Sequence, residues 1–216
     1  MILSPKQYDV LFHSISGRVG RSQAVKIWPN AVVPYVLDNN FTAAEKSLIR
    51  TAQNIIQKQS CVKFERIYNN DKYKDYVYIK SGHGCASTVG FWGGKQVLYL
   101  QKAGCMDLGR MLHEFIHVLG FFHMHASVER DKFIDIQWAN IAPTAIEYFV
   151  SYETDVSLHG TPYDYESITH YPANAFSKNG SATIVSKEPG GDHIMGQRDH
   201  LSPGDVKRLN MMYNCA

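Results

Sequence analysis

Two histidines four residues apart, His113 and His117, enclose Glu114-Phe115-Ile116, and Gly120 and His123 follow. On a helix that spacing puts both imidazoles on one face, about one turn apart, so both can reach a single point. Gly120 can take the positive φ that ends a helix, and a sharp turn then brings His123 back as a third ligand. Three neutral imidazoles with an open fourth position describe a catalytic zinc site, whereas structural sites close all four positions with protein ligands. Glu114 stands beside the first ligand without being one, which places it to take a proton from water at the metal. The expected cofactor is Zn2+, held by His113, His117 and His123, with Glu114 as the base. A helix whose histidines only satisfy backbone carbonyls has no use for the glycine and third histidine at those offsets.

The elements that must position this stretch are legible upstream of it. Val32 to Leu37 reads as a strand, and its Pro34 places it at a sheet edge. Thr42-Ala43-Ala44-Glu45 is a capping box opening a helix. Leu48, Ile49, Ala52, Ile55 and Ile56 form the apolar stripe of that helix, which ends near Gln59. Val62 to Ile67 and Tyr76 to Ile79 read as strands around the polar turn Asn69-Asn70-Asp71. Lys95 to Leu100 reads as another strand after the glycine-punctuated segment Gly82 to Gly94. The zinc helix then spans roughly Met106 to Leu119. Strands followed by a helix laid across them give an α+β lobe with a mixed sheet, and an exposed strand there could pair with an extended peptide. Beyond His123 the pattern thins to turns rich in Gly, Pro, Asn and Asp. Pro143 to Tyr152 is a possible helix. Ser202-Pro203-Gly204-Asp205 opens a final helix running to about Tyr213. This is an irregular second lobe, with a cleft between the two.

Composition excludes other classes. The 216 residues carry 22 basic and 20 acidic side chains, a net charge of +2 that points to neither nucleic acid nor membrane as partner. No apolar run approaches the ~18 residues needed to span a bilayer, and the first residues lack a signal peptide's apolar stretch. Four cysteines, Cys61, Cys85, Cys105 and Cys215, allow three pairings. Their even number favours two disulfides and an oxidising, extracellular compartment. A Cys61 to Cys215 bridge would tie the C-terminus to the body, and Cys85 to Cys105 would close a loop before the zinc helix. The sequons Asn40-Phe41-Thr42 and Asn179-Gly180-Ser181 are compatible with secretion. Residues 1 to about 27 hold no long periodic pattern, and Arg18, Gly20 and Arg21 surround a proteolytic site.

The run from His113 to His123 with Glu129-Arg130-Asp131 resembles the astacin family of metzincin zinc endopeptidases. Further matches are Trp28-Pro29-Asn30, Val33-Pro34-Tyr35, Gly93-Gly94-Lys95-Gln96 and Pro162-Tyr163-Asp164-Tyr165. Ser167-Ile168, His170-Tyr171, Gly196-Gln197-Arg198, Leu201-Ser202 and Asp205 extend them, so that residues 26 to 215 are covered. The resemblance implies a secreted, monomeric enzyme acting on protein or peptide substrates. Its implied fold is a two-lobed α+β metzincin-like domain, with a mixed N-terminal sheet, two long helices, and an irregular C-terminal lobe closed by a final helix. It divides the chain into a pro-segment remnant, residues 1–21, and a protease domain, 22–216, with lobes at about 22–120 and 121–216. It implies the disulfides Cys61–Cys215 and Cys85–Cys105. It gives Tyr171 the role of a movable phenol that stabilises the oxyanion, a neutral donor aimed at developing negative charge. The first residues match the end of an astacin pro-segment, past its zinc-blocking aspartate; Asp9 lies too far along to serve.

Three residues depart from the family pattern. Met124 replaces the glutamate that receives the mature N-terminal ammonium, Ser127 replaces an arginine, and Thr169 replaces the methionine beneath the metal. Threonine is smaller and brings a hydroxyl that needs a partner, so the expectation is weaker rigidity around the metal with the chemistry intact. These departures are also the support for a rival reading, a catalytically silent binding module; the intact Glu114 and Tyr171 oppose it.

Overall fold

The computed structural model describes residues 25–68, 73–152 and 160–215. The pro-segment assignment, the Arg18–Arg21 site and the Asn69-Asn70-Asp71 turn lie outside these residues. Strands β1 (Val32–Leu37), β2 (Lys63–Arg66), β3 (Tyr76–Lys80), β4 (Cys85–Ser87) and β5 (Lys95–Leu100) form one sheet in the order β2-β1-β3-β5-β4. All neighbours are parallel except β4 against β5, so the sheet is mixed as expected.

Helix α1 (Ala43–Gln59) follows β1, and both halves of its capping box form: Thr42 Oγ1 accepts from Glu45 N–H, and the Glu45 carboxylate accepts from Thr42 N–H. Its stripe seats Ile49, Ala52 and Ile56 in the core at 0% exposure. Helix α2 (Leu108–Val118) packs beside α1 and carries the histidines. Its N-cap is Asp107, whose carboxylate accepts from Arg110 N–H at 2.9 Å.

Two sequence expectations need correction here. β1 is not an edge strand, since it pairs with β2 on one side and β3 on the other. In a parallel sheet alternate residues face alternate neighbours. Tyr35 O accepts from Ile67 N–H on the β2 side, so the ring nitrogen of Pro34 faces β3, whose ladder starts one residue later at Tyr35. The missing N–H therefore removes no rung. The segment Gly82–Gly94 also hides a strand: β4 is three small residues, all buried, with no alternation to reveal it.

The second lobe is irregular. It holds 3-10 turns at Met124–Ala126, Arg130–Lys132, Trp138–Asn140 and Pro143–Phe149, and a two-stranded ribbon of β6 (Ile134–Ile136) and β7 (Ile184–Ser186). A single helical turn, α3 (Gly191–Ile194), and the final helix α4 (Pro203–Met212) complete it. The helix expected over Pro143 to Tyr152 is a 3-10 run that stops at Phe149; no side chain caps its first turn, and only Ala145 and Phe149 are buried to hold it.

Two apolar cores result. The first joins the sheet, α1 and α2, and also takes Leu209 and Tyr213 from the last helix and the residues after it; the second gathers Met124, Ile134, Phe149, Tyr163, Tyr171 and Ile184. Both disulfides form as the resemblance implied, Cys61–Cys215 and Cys85–Cys105. The first fastens the end of α1 to the end of the chain, and the second fastens β4 to the loop before α2.

Candidate metal centre

The end of α2 lies in the first core, and the chain beyond it enters the second at Met124. The last carbonyls of α2 are the groups a helix leaves without intrahelical partners. Here the Trp28 indole donates to Val118 O at 2.9 Å and the Tyr213 hydroxyl donates to Leu119 O at 3.0 Å. Gly120 then adopts φ 110°, a left-handed conformation that favours glycine, and Phe121 N–H returns to Ile116 O. This reversal carries His123 back toward the two helical histidines. The start of α2 depends on another glycine. A Cβ on Gly109 would meet Arg198 O at 1.6 Å, so a residue with any side chain would push the helix off the C-terminal segment.

The three imidazoles converge. His117 Nε2 lies 2.9 Å from His113 Nε2 and 3.2 Å from His123 Nε2. Among the described residues this is the one group of His, Cys, Asp or Glu able to hold a metal ion. The other ring nitrogens fix the tautomers. His113 Nδ1 is 2.7 Å from Ile168 O, and His117 Nδ1 is 2.6 Å from Phe121 O. A carbonyl can only accept, so each Nδ1 carries the proton and each Nε2 presents a lone pair. Those lone pairs face one another without a proton to share, an arrangement that a cation resolves. Zinc–nitrogen bonds of about 2.0–2.1 Å at a tetrahedral angle set nitrogens roughly 3.3–3.4 Å apart, close to the spacing found. The residues fit zinc.

Burial keeps the rings in the ligand form. Desolvation holds His117 down to about 4, and holds His113 and His123 well below the ordinary histidine range, with neighbouring imidazoles adding to both.

Glu114 is 1% exposed, and neither carboxylate oxygen has a hydrogen-bond partner in the protein. Burial pushes its carboxyl up to about 8. A buried carboxylate without partners is costly, and a nearby metal cation with its water would relieve it. The backbone carbonyl of Glu114 accepts from the Ser87 hydroxyl at 3.0 Å, which joins the edge strand β4 to the histidine helix.

Tyr171 comes to the same place from the second lobe. Its ring centroid is 4.6 Å from that of His123, and it stacks on His125 at 3.8 Å with 20° between planes. Burial raises its phenol far above the usual tyrosine range, so it stays a neutral donor.

The structure thus brings together all the residues singled out in the sequence for the metal, the base and the phenol. It adds others that periodicity could not find. His125 supports Tyr171 and bonds through Nε2 to Tyr148 O at 2.9 Å. Arg198 sets its guanidinium on His170 O at 3.2 Å. Thr169, 2% exposed, finds its partner in Ser167, with 3.0 Å between the hydroxyls. The polar side chain at this departure is satisfied. Arg198 and Thr169 carried a sequence signal only through the motifs around them, and His125 carried none.

Comparison with known proteins agrees with this geometry. The family model of astacin, a peptidase family, matches residues 20–214. The chain is 38% identical over 216 residues to zinc metalloproteinase nas-4 of Caenorhabditis elegans, covering all of this chain and 67% of that protein. It is 38% identical over 217 residues to seminal metalloprotease 1 of Drosophila melanogaster, covering 97% of this chain and 86% of that one. Among solved structures it resembles high choriolytic enzyme 1, a hatching enzyme zinc-protease of the medaka fish Oryzias latipes. That likeness has a TM-score of 0.81 at 34% identity and covers 92% of this chain and 98% of the other. The chain spans about half to two thirds of the length of the first nematode relatives it matches.

Proposed function

Because this chain belongs to the astacin family of zinc metalloproteinases, we propose that it hydrolyses peptide bonds within extended polypeptides, with Glu114 as its base and Tyr171 as its oxyanion donor. The observation that carries this reading is the buried Glu114 carboxylate, without a protein partner, on the helical turn that presents the converging histidines. His113, His117 and His123 would hold the zinc, which when bound supplies Lewis-acid polarisation of the scissile carbonyl and of the attacking water.

The chain's own groups do the rest. Glu114 accepts a proton from the water as its oxygen bonds to the carbonyl carbon. The Tyr171 hydroxyl donates a hydrogen bond to the oxygen that gains negative charge, in a site where burial makes such a bond strong. Glu114 then returns the proton to the amine nitrogen as the carbon–nitrogen bond breaks. The edge strand β4, tied to α2 through Ser87, offers its unpaired side to an extended substrate by strand addition.

The protein acts as a secreted monomer on protein or peptide substrates, with residues 1–21 as a pro-segment remnant and 22–216 as the protease domain. Its two disulfides support an oxidising compartment, and no helix of the described residues is long and apolar enough to cross a membrane.

Digestion of an unfolded protein tests the activity. Cleavage should stop on chelation, return with zinc, and be lost in Glu114→Gln while that variant still binds one zinc. Zinc-loaded wild type that cleaves nothing would favour the silent binding module.

A further inference from the structure

His113 and His117 both donate Nδ1–H to a backbone carbonyl, but the two carbonyls are held differently. Phe121 O, which holds His117, lies in the reversal that follows α2. Ile168 O, which holds His113, belongs to the peptide unit whose N–H is Thr169 N–H. That N–H donates to Ser167 Oγ at 3.2 Å. The Ser167 hydroxyl in turn donates to Asp205 Oδ1 at 2.7 Å. A carboxylate can only accept, so the one Ser167 proton points at Asp205, and the Thr169 hydroxyl, 3.0 Å from Ser167 Oγ, is the donor of that pair.

Every member of this path is buried: His113 at 1%, Ser167 at 0%, Ile168 at 0%, Thr169 at 2% and Asp205 at 5% exposure. The Asp205 carboxylate is fully engaged. Oδ2 accepts Ile168 N–H at 2.8 Å and Ser202 N–H at 3.0 Å, and Oδ1 also accepts Arg208 Nη2 at 2.7 Å. The charge is thus fixed in place at the first turn of α4.

We propose that Asp205 is a positioning residue for the metal ligand His113, acting through Ser167 and the Ile168–Thr169 peptide. A carboxylate bonded directly to a zinc-bound histidine orients the ring and raises its basicity. Here the carboxylate acts through two intermediates, the Ser167 hydroxyl and the Ile168–Thr169 peptide. The negative charge draws on the Ser167 hydroxyl, which polarises the Thr169 N–H, which makes Ile168 O a stronger acceptor for His113 Nδ1–H. Hydrogen bonds in series strengthen one another in this way in a low-dielectric interior. The final helix, distant from His113 along the chain, thereby controls one corner of the metal site. Asp205 is also the N3 residue of the capping box of α4 and an ion-pair partner of Arg208. A purely structural role would end there.

The inference rests on His113 being a zinc ligand, and the two can fail separately. If wild-type protein binds no zinc, the ligand assignment goes; if it binds zinc, the relay is tested by substitution. Ser167→Ala cuts the path while leaving Asp205 its bonds to Ile168, Ser202 and Arg208. Thr169→Val removes only the side-chain donor and keeps the peptide link. In zinc-loaded, 15N-labelled full chain, Ser167→Ala should move the His113 Nδ1–H proton resonance upfield and leave that of His117 in place. Chelator competition should show zinc binding weakened about tenfold. Thr169→Val should leave both resonances near their wild-type positions. Unchanged His113 resonance and zinc affinity in folded Ser167→Ala would overturn the proposal. So would equal shifts at His113 and His117, which report general loosening. If Ser167→Ala does not fold, Asp205→Asn puts the same question: it keeps the size and the Ile168 contact, removes the charge, and should move His113 alone.

Discussion

The ring of Tyr171 lies face to face with that of His125, 3.8 Å away and tilted by 20°. His125 is itself held from behind by the carbonyl of Tyr148, so the phenol rests on a fixed aromatic shelf beside His123. Tyr171→Phe keeps the shelf and removes only the donor. It should lower kcat by about 10²–10³-fold, the usual loss for one oxyanion donor, with zinc content and KM little changed. His125→Phe preserves a flat partner and should retain most activity, whereas His125→Ala should lose about tenfold or more as the phenol drifts. Steady-state kinetics on one peptide for all three variants checks the order.

Glu114 makes the metal-free fold sensitive to alkali. Its folded value, near 8, stands above its unfolded value near 4.5. The folded state therefore binds the extra proton between those limits, and this group's contribution to stability is fully present below pH 4.5 and is lost as pH rises toward 8. The penalty is at most about 5 kcal/mol from the size of that shift. Glu114→Gln carries no such charge. Metal-free Glu114→Gln should therefore melt close to wild type at about pH 5 and above it at about pH 8. Melting curves that stay parallel across this range would contradict the assignment of a partnerless carboxylate.

Thr169 is buried with its polar groups satisfied. Its N–H and hydroxyl both reach Ser167 Oγ. Placing methionine there adds volume to a packed interior and deletes one hydrogen bond, so Thr169→Met should destabilise the protein by about 1–3 kcal/mol. Thr169→Ser, which keeps both donors, should cost less. Urea unfolding of the two variants measures the difference. A more stable Thr169→Met would bear out the expectation, drawn from the family pattern, that the threonine weakens this floor.

Without the metal, His117 Nε2 faces His113 Nε2 at 2.9 Å and His123 Nε2 at 3.2 Å. Zinc at about a thousand times its Kd should stabilise the fold by about 4 kcal/mol through mass action alone. Calorimetry should show the melting temperature rising with zinc and falling on chelation. Because burial holds the three histidines in the neutral ligand form, down to about 4 for His117, zinc affinity of the folded protein should hold through the ordinary histidine range near 6.5 and weaken only as pH falls toward about 4.

Much of the active centre was written along the chain. The spacing of His113 and His117 is a helical repeat, Gly120 is the residue that tolerates φ 110°, and Thr42 with Glu45 caps a helix by local bonds. Such features follow from short-range geometry, which a sequence carries in full. The family pattern supplied the disulfide pairing and Tyr171, which no periodicity singles out among the 13 tyrosines.

Other features depend on groups distant in sequence meeting in space. Pro34 sits inside the sheet because the β3 ladder begins one residue beyond it, a register that neither strand specifies alone. β4 is a strand because β5 and the Cys85–Cys105 bridge hold it. The Thr169 hydroxyl can donate to its near neighbour Ser167 because the Ser167 proton is drawn to Asp205, which the final helix brings from far along the chain. Local sequence determined which side chains could hold a metal and move a proton. The carbonyl that fixes His117 lies four residues on, but only the tertiary structure decided that Ile168 O, 55 residues away, fixes His113, because buried hydrogen-bond partners far apart in sequence are chosen by the fold as a whole.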